Sequence, residues 1–147
     1  MSDATLIHAP WTDTAPAVPV PLESGHLPLA VVVEDDTLVR SAVSAYLEVL
    51  GCQVAAVASA DAAVALFETL ARRPHFMICD YGLPEGRNGL QVIASARRHL
   101  GAGFPVFLLT GTVSRDVSRD CLELGVDVIF KPVSPGVLAS IVHRVCA

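Results

Sequence analysis

Five side chains in this sequence have the chemistry to manage a phosphoryl group: the carboxylates of Glu34, Asp35 and Asp80, the Thr110 hydroxyl and the Lys131 ammonium. Each follows a short apolar run: Leu29–Val33 before Glu34-Asp35, Phe76–Cys79 before Asp80, Val106–Leu109 before Thr110, and Val128–Phe130 before Lys131. Three carboxylates held within several ångströms repel one another, so at least one pKa should rise unless a cation intervenes. Hard oxygen ligands suit Mg²⁺, which takes a few carboxylates, keeps some waters and completes its shell with a substrate phosphate. Asp80 could then attack phosphorus in line and form an acyl phosphate. Lys131, Thr110 and the backbone N–H groups of Tyr81 and Gly111 would receive the phosphoryl oxygens, and Gly111 leaves room for them. A purely structural reading, with Lys131 bridging to Asp80 and Thr110 capping, accounts for each residue singly but not for their joint placement.

Groups spread over about a hundred residues of sequence can meet only if the fold brings them to one edge. Uninterrupted apolar runs of four to six residues suit strands buried on both faces. Leu29–Val33, Phe76–Cys79 within His75–Asp80, and Val106–Leu109 fit that pattern; Val126–Phe130 reads as a fifth strand interrupted by Asp127, and Val54–Ala58 as a weaker edge strand. Between them lie helical patterns. Val39, Ala42, Val43, Tyr46, Leu47 and Leu50 recur on one face, with Gly51 suited to a left-handed terminus. Ser59 caps a helix that turns Ala63, Leu66, Phe67 and Leu70 inward. The turn-rich segment Gly82–Gly89 reads as a loop, followed by a helix that begins with Leu90, Ile93 and Ala94 and is ended by Gly101 and Gly103. Ser114 caps the next helix, with Val117, Cys121 and Leu124 inward and Gly125 as its stop. Ser134-Pro135 opens the last, which buries Leu138, Ile141, Val142 and Val145. Asp36 reads as the cap of the first helix. Strand and helix alternate five times, which right-handed crossovers turn into an α/β fold: a doubly wound parallel sheet with helices on both faces.

The 147 residues suffice for one domain, expected over residues 28–147. Residues 1–27 hold Pro10, Pro16, Pro19 and Pro21 with no sustained period and read as a disordered or extended tail. Trp11 is its one oddity, an exposed aromatic or, with Leu6 and Ile7, a docking element. A net charge of −5 offers no broad basic face, which argues against nucleic acid as a partner. Cys52, Cys79, Cys121 and Cys146 form no C-x-x-C pair and fit a reducing cytoplasm. No basic-flanked apolar leader is present and no apolar run approaches the ~18 residues of a membrane span, so neither export nor membrane insertion is expected.

From Leu29 onward the chain resembles the receiver domain of two-component response regulators. Val-Val-Glu34-Asp35-Asp36 matches that family's acidic motif, Cys-Asp80-Tyr-Gly-Leu-Pro84 its phosphoacceptor strand and loop, Leu-Leu-Thr110-Gly111 its hydroxyl position, and Phe-Lys131-Pro132 its lysine. The resemblance implies a (βα)5 fold with flavodoxin-like strand order 2-1-3-4-5. It further implies that Asp80 accepts a phosphoryl group from the phosphohistidine of a histidine kinase or histidine phosphotransfer protein. Asp35 and Asp80 would bind Mg²⁺ with the Gly82 carbonyl, Glu34 acting largely through water, and the Lys131-Pro132 peptide would be cis. The loop through Asn88-Gly89 is similar to that of receivers at the ends of hybrid sensor kinases. A homodimer through the fourth and fifth helices is also open.

Two positions depart from the family pattern. An aromatic three residues before the lysine often moves with the Thr or Ser on phosphorylation; here that residue is Val128, so any signal is expected through Thr110 and residues 111–124. Gly82 has no side chain with which to orient a hydrolytic water, so a long-lived phosphoryl group is expected. A phosphoacceptor signalling domain is the leading reading. The alternatives are an interaction module not switched by phosphate and a phosphate sink in a relay. A Mg²⁺-dependent hydrolase is disfavoured because no second Asp stands two residues after Asp80. With only the tail before the domain and nothing after residue 147, action through contacts is expected rather than through an attached output domain.

Overall fold

The computed structural model describes residues 26–86, 88–111 and 114–146. Residues 1–25 of the N-terminal tail, Trp11 among them, lie outside the described residues. Five strands, β1 (Leu29–Val33), β2 (Gln53–Val57), β3 (Phe76–Asp80), β4 (Val106–Thr110) and β5 (Asp127–Phe130), alternate with five helices: α1 (Thr37–Val49), α2 (Ala60–Thr69), α3 (Gly89–Leu100), α4 (Arg115–Leu124) and α5 (Pro135–Cys146). All pairings are parallel, in the order β2-β1-β3-β4-β5. This is the expected flavodoxin-like sheet.

Period-two alternation divides the apolar residues between two cores. Val31, Val33, Met77, Cys79, Val106 and Leu108 pack on one face with Ala63, Phe67, Val92, Ile93, Ala96, Val117 and Cys121, so α2, α3 and α4 cover that side. Ala30, Val32, Phe76, Ile78, Phe107 and Leu109 pack on the other with Val43, Leu47, Leu138, Ile141 and Val142 of α1 and α5. Every residue of β1, β3 and β4 is buried, as strands covered on both faces require. The edge strand β2 is only partly buried. Burial pushes the Cys52 thiol up to about 12 and those of Cys121 and Cys146 up to about 11, and raises Cys79 further still, so none supplies a thiolate at neutral pH.

The helices begin where polar caps stand. Asp36 Oδ1 accepts from the N–H groups of Leu38 and Val39, Ser59 Oγ from Ala62, Ser114 Oγ from Val117 and Ser134 Oγ from Val137. Gly51 and Gly125 take positive φ at helix ends. Three local expectations are corrected. The third helix starts at Gly89, not at Leu90, because Asn88 and Gln91 form a reciprocal capping box. In α1 the helical period puts Ala42 on the face of Val43, Leu47 and Leu50, but Ala42 is exposed while those three are buried. In α4, Leu124 is 39% exposed, because the chain turns out through left-handed Gly125 directly after it and Val126 takes the buried position instead.

Candidate functional site

Register explains how the distant acids meet. Val33 pairs with Cys79, so one further step brings Glu34 abreast of Asp80 at the carboxyl edge of the sheet. Asp80 pairs with Leu109, and the Lys131 N–H donates to the Thr110 carbonyl at 2.9 Å. Glu34, Asp80 and Lys131 continue the alternation of Val32, Ile78 and Ile129, all of which face the α1 and α5 side. The three side chains therefore lie on one side of the sheet.

Their contacts are direct. Lys131 Nζ lies 2.9 Å from Glu34 Oε1 and 3.1 Å from Asp80 Oδ1. Glu34 is fully buried and Asp80 is 6% exposed. Desolvation is the largest influence on Glu34 and holds its carboxyl above the ordinary range; the Lys131 ammonium and the Asp36 N–H oppose it, while the Asp80 charge adds to it. Burial alone would lower Lys131, but its bonds and attraction to the two carboxylates outweigh that and keep it above its usual value. Asp35 completes the cluster from the exposed side: one oxygen each of Glu34, Asp35 and Asp80 lie within 4.8 Å of one another.

The remaining expected residues lie along the same edge. Thr110 ends β4 and is buried. Tyr81 and Gly82 follow Asp80 into the loop, Gly82 bridging to Asn88. The Tyr81 N–H, expected to face a phosphoryl oxygen, instead donates to the Leu109 carbonyl at 2.8 Å, extending the sheet ladder by one bond. Gly111 leaves open space, since an added Cβ there would meet no heavy atom within 4 Å. The Lys131-Pro132 peptide is cis. Val128 is buried among the α2, α3 and α4 core residues.

A family model for the response regulator receiver domain matches residues 30–143. This chain belongs to the response regulator receiver domain family. No curated protein matches the chain. Among solved structures it is similar to a receiver protein from Pseudomonas putida, with 28% identity and a TM-score of 0.73 over 81% of this chain and 98% of that one. A CheY-like receiver from Methanospirillum hungatei JF-1 gives 28% identity and 0.72 over 81% and 93%. The BeF3-activated receiver domain of DrrB, at 24% identity and 0.68 over 81% and 97%, shares the fold. Receiver domains interact with histidine kinases and are typically not conventional enzymes. No helix among its described residues is long and apolar enough to cross a membrane.

The donor set of this receiver domain suits a divalent cation. Three carboxylates and one ammonium leave a formal charge of minus two in a partly buried pocket, and all the side-chain ligands are hard oxygens. Glu34, Asp35 and Asp80 are the side chains that could hold Mg²⁺.

Gly89 is a site residue that composition alone did not single out. A Cβ built there would collide with the Asp80 carbonyl oxygen, lie 2.8 Å from Leu108 Cδ1 and 3.1 Å from the Asp80 carbonyl carbon. The first turn of α3 thus rests directly on the backbone of the central acid. Gly89→Ala is expected to destabilise the domain by about 2 kcal/mol, as forced overpacking against backbone does. Urea unfolding monitored by circular dichroism measures it, and a loss below a few tenths would show that the loop yields instead. The Asn-Gly pair in the sequence signals a turn, but a turn glycine and a close-approach glycine look alike until the neighbour is known.

Proposed function

We propose that this receiver domain takes a phosphoryl group from the phosphohistidine of a histidine kinase or histidine phosphotransfer protein onto Asp80, and changes its partner contacts when it does so. The observation that carries this reading is the Lys131 ammonium 3.1 Å from Asp80 Oδ1, at the inner end of a carboxylate cluster open on the Asp35 side. That arrangement presents a nucleophilic carboxylate with a cation already in place for the charge that develops on phosphorus.

In the proposed reaction an Asp80 oxygen bonds to phosphorus as the phosphorus–nitrogen bond of the donor breaks, and the electron pair leaves on the imidazole. Lys131 moves part of its attention from Glu34 and Asp80 to a phosphoryl oxygen, and the Thr110 hydroxyl receives another. On the Asp80 side the donor passes from Tyr81 to the N–H of Gly82, which no hydrogen bond among the described residues takes. Gly111 gives the group room and its N–H the remaining contact. When bound, Mg²⁺ neutralises the carboxylates and fixes phosphoryl oxygens, and Glu34, Asp35, Asp80 and the Gly82 carbonyl are the groups that would hold it. The DrrB receiver domain, BeF3-activated in its structure, shares the fold.

Incubation with acetyl phosphate and Mg²⁺, followed by weighing the intact protein, tests the reading: a stoichiometric phosphoryl adduct is expected. A protein that stays unmodified would favour the second reading, an interaction module not switched by phosphate. One observation favours that alternative: Val128 is 2% exposed and has no ring to swing between two positions. Sequestration of phosphate in a relay shares the chemistry of the first reading and differs only in the absence of a partner whose affinity changes.

The Gly82 position sets the expected lifetime of the adduct. Its surroundings would admit a Cβ without contact, so a polar side chain there has space to orient a water toward phosphorus. Gly82→Asn is expected to speed loss of the phosphoryl group about tenfold, less than the roughly 10²–10⁴-fold of a positioned general base because an amide orients a water but does not take its proton. Decay of the adduct after removal of acetyl phosphate measures it, and equal decay rates in the two proteins would dismiss this role for Gly82.

A further inference from the structure

The geometry points to Arg40 as a positioning residue for the acidic loop, acting on Mg²⁺ through the backbone of Glu34 and Asp35; the inference rests on the Mg²⁺-dependent phosphoacceptor reading above. Arg40 lies in α1, and its Nη1 donates to the Glu34 carbonyl at 2.9 Å and to the Asp35 carbonyl at 3.3 Å. Four residues after Asp36, it would ordinarily be read as an i,i+4 partner for that carboxylate. The Asp36 carboxylate is occupied instead by the N–H groups of Leu38 and Val39, and the guanidinium reaches past it to the strand exit.

The other bonds of the loop show why that reach matters. The Glu34 N–H donates to the Val57 carbonyl at 3.0 Å, the Asp36 N–H to Glu34 Oε2 at 3.1 Å, and the Arg40 N–H to the Asp36 carbonyl at 2.9 Å. These fix the two ends of the turn. The Glu34 and Asp35 carbonyls between them are held by Arg40 alone among the described residues, and their direction determines where the exposed Asp35 carboxylate points. Asp35 is the one acid of the cluster that the rest of the fold does not bury. Without Arg40 the Asp35 peptide can rotate, and the ligand set must be reassembled at each binding event. Among the described residues the Arg40 guanidinium bonds to backbone carbonyls and to no carboxylate oxygen, so its effect should fall on metal affinity and not on the chemical step.

The experiment compares the full chain with Arg40→Gln and Arg40→Lys. Mg²⁺ alone is titrated against each and followed by backbone amide NMR, and phosphorylation by acetyl phosphate is then measured across Mg²⁺ concentrations. Arg40→Gln is expected to raise the Mg²⁺ dissociation constant about tenfold, the lower end of what loss of an orienting partner of a metal ligand produces. Its rate at saturating Mg²⁺ should equal that of the natural chain. Arg40→Lys keeps a cation but loses the planar fork, so its affinity should fall between the two. It also serves as the folded comparison if Arg40→Gln proves unstable. Unchanged Mg²⁺ affinity in both variants, or a fall in the saturating rate with affinity unchanged, overturns the inference. A natural chain that shows no Mg²⁺-dependent amide shifts overturns the metal reading itself, and the Arg40 role falls with it.

Discussion

Asp80→Asn is expected to reduce phosphorylation by acetyl phosphate to background, a loss on the order of a thousandfold or more, as removal of a nucleophile typically gives. Asparagine has the shape of the carboxylate but no anionic oxygen to attack phosphorus. The fold should survive, because Lys131 keeps its 2.9 Å contact with Glu34 and the substitution removes one of three mutually repelling charges. Unfolding in urea at neutral pH is therefore expected to show equal or greater stability. Chelation of Mg²⁺ in the natural chain should also abolish the adduct. An adduct that persists in Asp80→Asn would place the phosphoryl group on another residue. Sustained turnover of a phosphate ester by the natural chain would instead revive hydrolysis.

Lys131→Ala carries the second large effect, and it acts on stability as well as chemistry. The substitution strands Glu34, which is fully buried and bonds to the ammonium at 2.9 Å. Removing one partner of such a buried pair typically destabilises by about 3 kcal/mol or more. The loss should depend on pH with a definite sign. Burial already raises the Glu34 pKa above its ordinary 4.5 in the natural chain, and without Lys131 it rises further. A raised carboxyl favours the folded state when protonated. Its contribution is therefore complete below about pH 4.5 and is lost as the pH climbs through the folded-state value. The variant should consequently be most impaired near neutrality and regain ground relative to the natural chain as the pH falls. Urea titrations at several pH values measure this, and a pH-independent difference would show that Glu34 is not the stranded group. Phosphorylation should fall steeply even where the variant is folded, since the cation facing the developing phosphoryl charge is gone.

Most of the fold was legible because its signals are local. Unbroken apolar runs marked β1, β3 and β4, and each of those strands is buried throughout. Asp36, Ser59, Ser114 and Ser134 marked helix starts, since a side-chain oxygen bonded to the next turn's N–H is a short-range device. The inward face of α1 was harder, because Ala42 falls on the same period as Val43 and Leu47 and only the packing partner distinguishes them. Leu124 misled for a related reason: the helical period continues through it, but the chain leaves the helix at Gly125.

The sequence by itself determined which chemical groups stand at the carboxyl ends of four strands, and hence that acids, a hydroxyl and an amine could share one edge of a parallel sheet. Only the tertiary structure decided the arrangement inside that edge: that Lys131 bridges Glu34 and Asp80, that the Tyr81 N–H serves the sheet, that Gly89 rests against the Asp80 backbone, and that Arg40 grips the turn carrying Asp35. The physical reason is one of range. Strand ends and caps follow from neighbours a few residues away, whereas the partner of a buried charge or an approaching glycine is set by inter-strand register and helix docking, which the order of residues does not state.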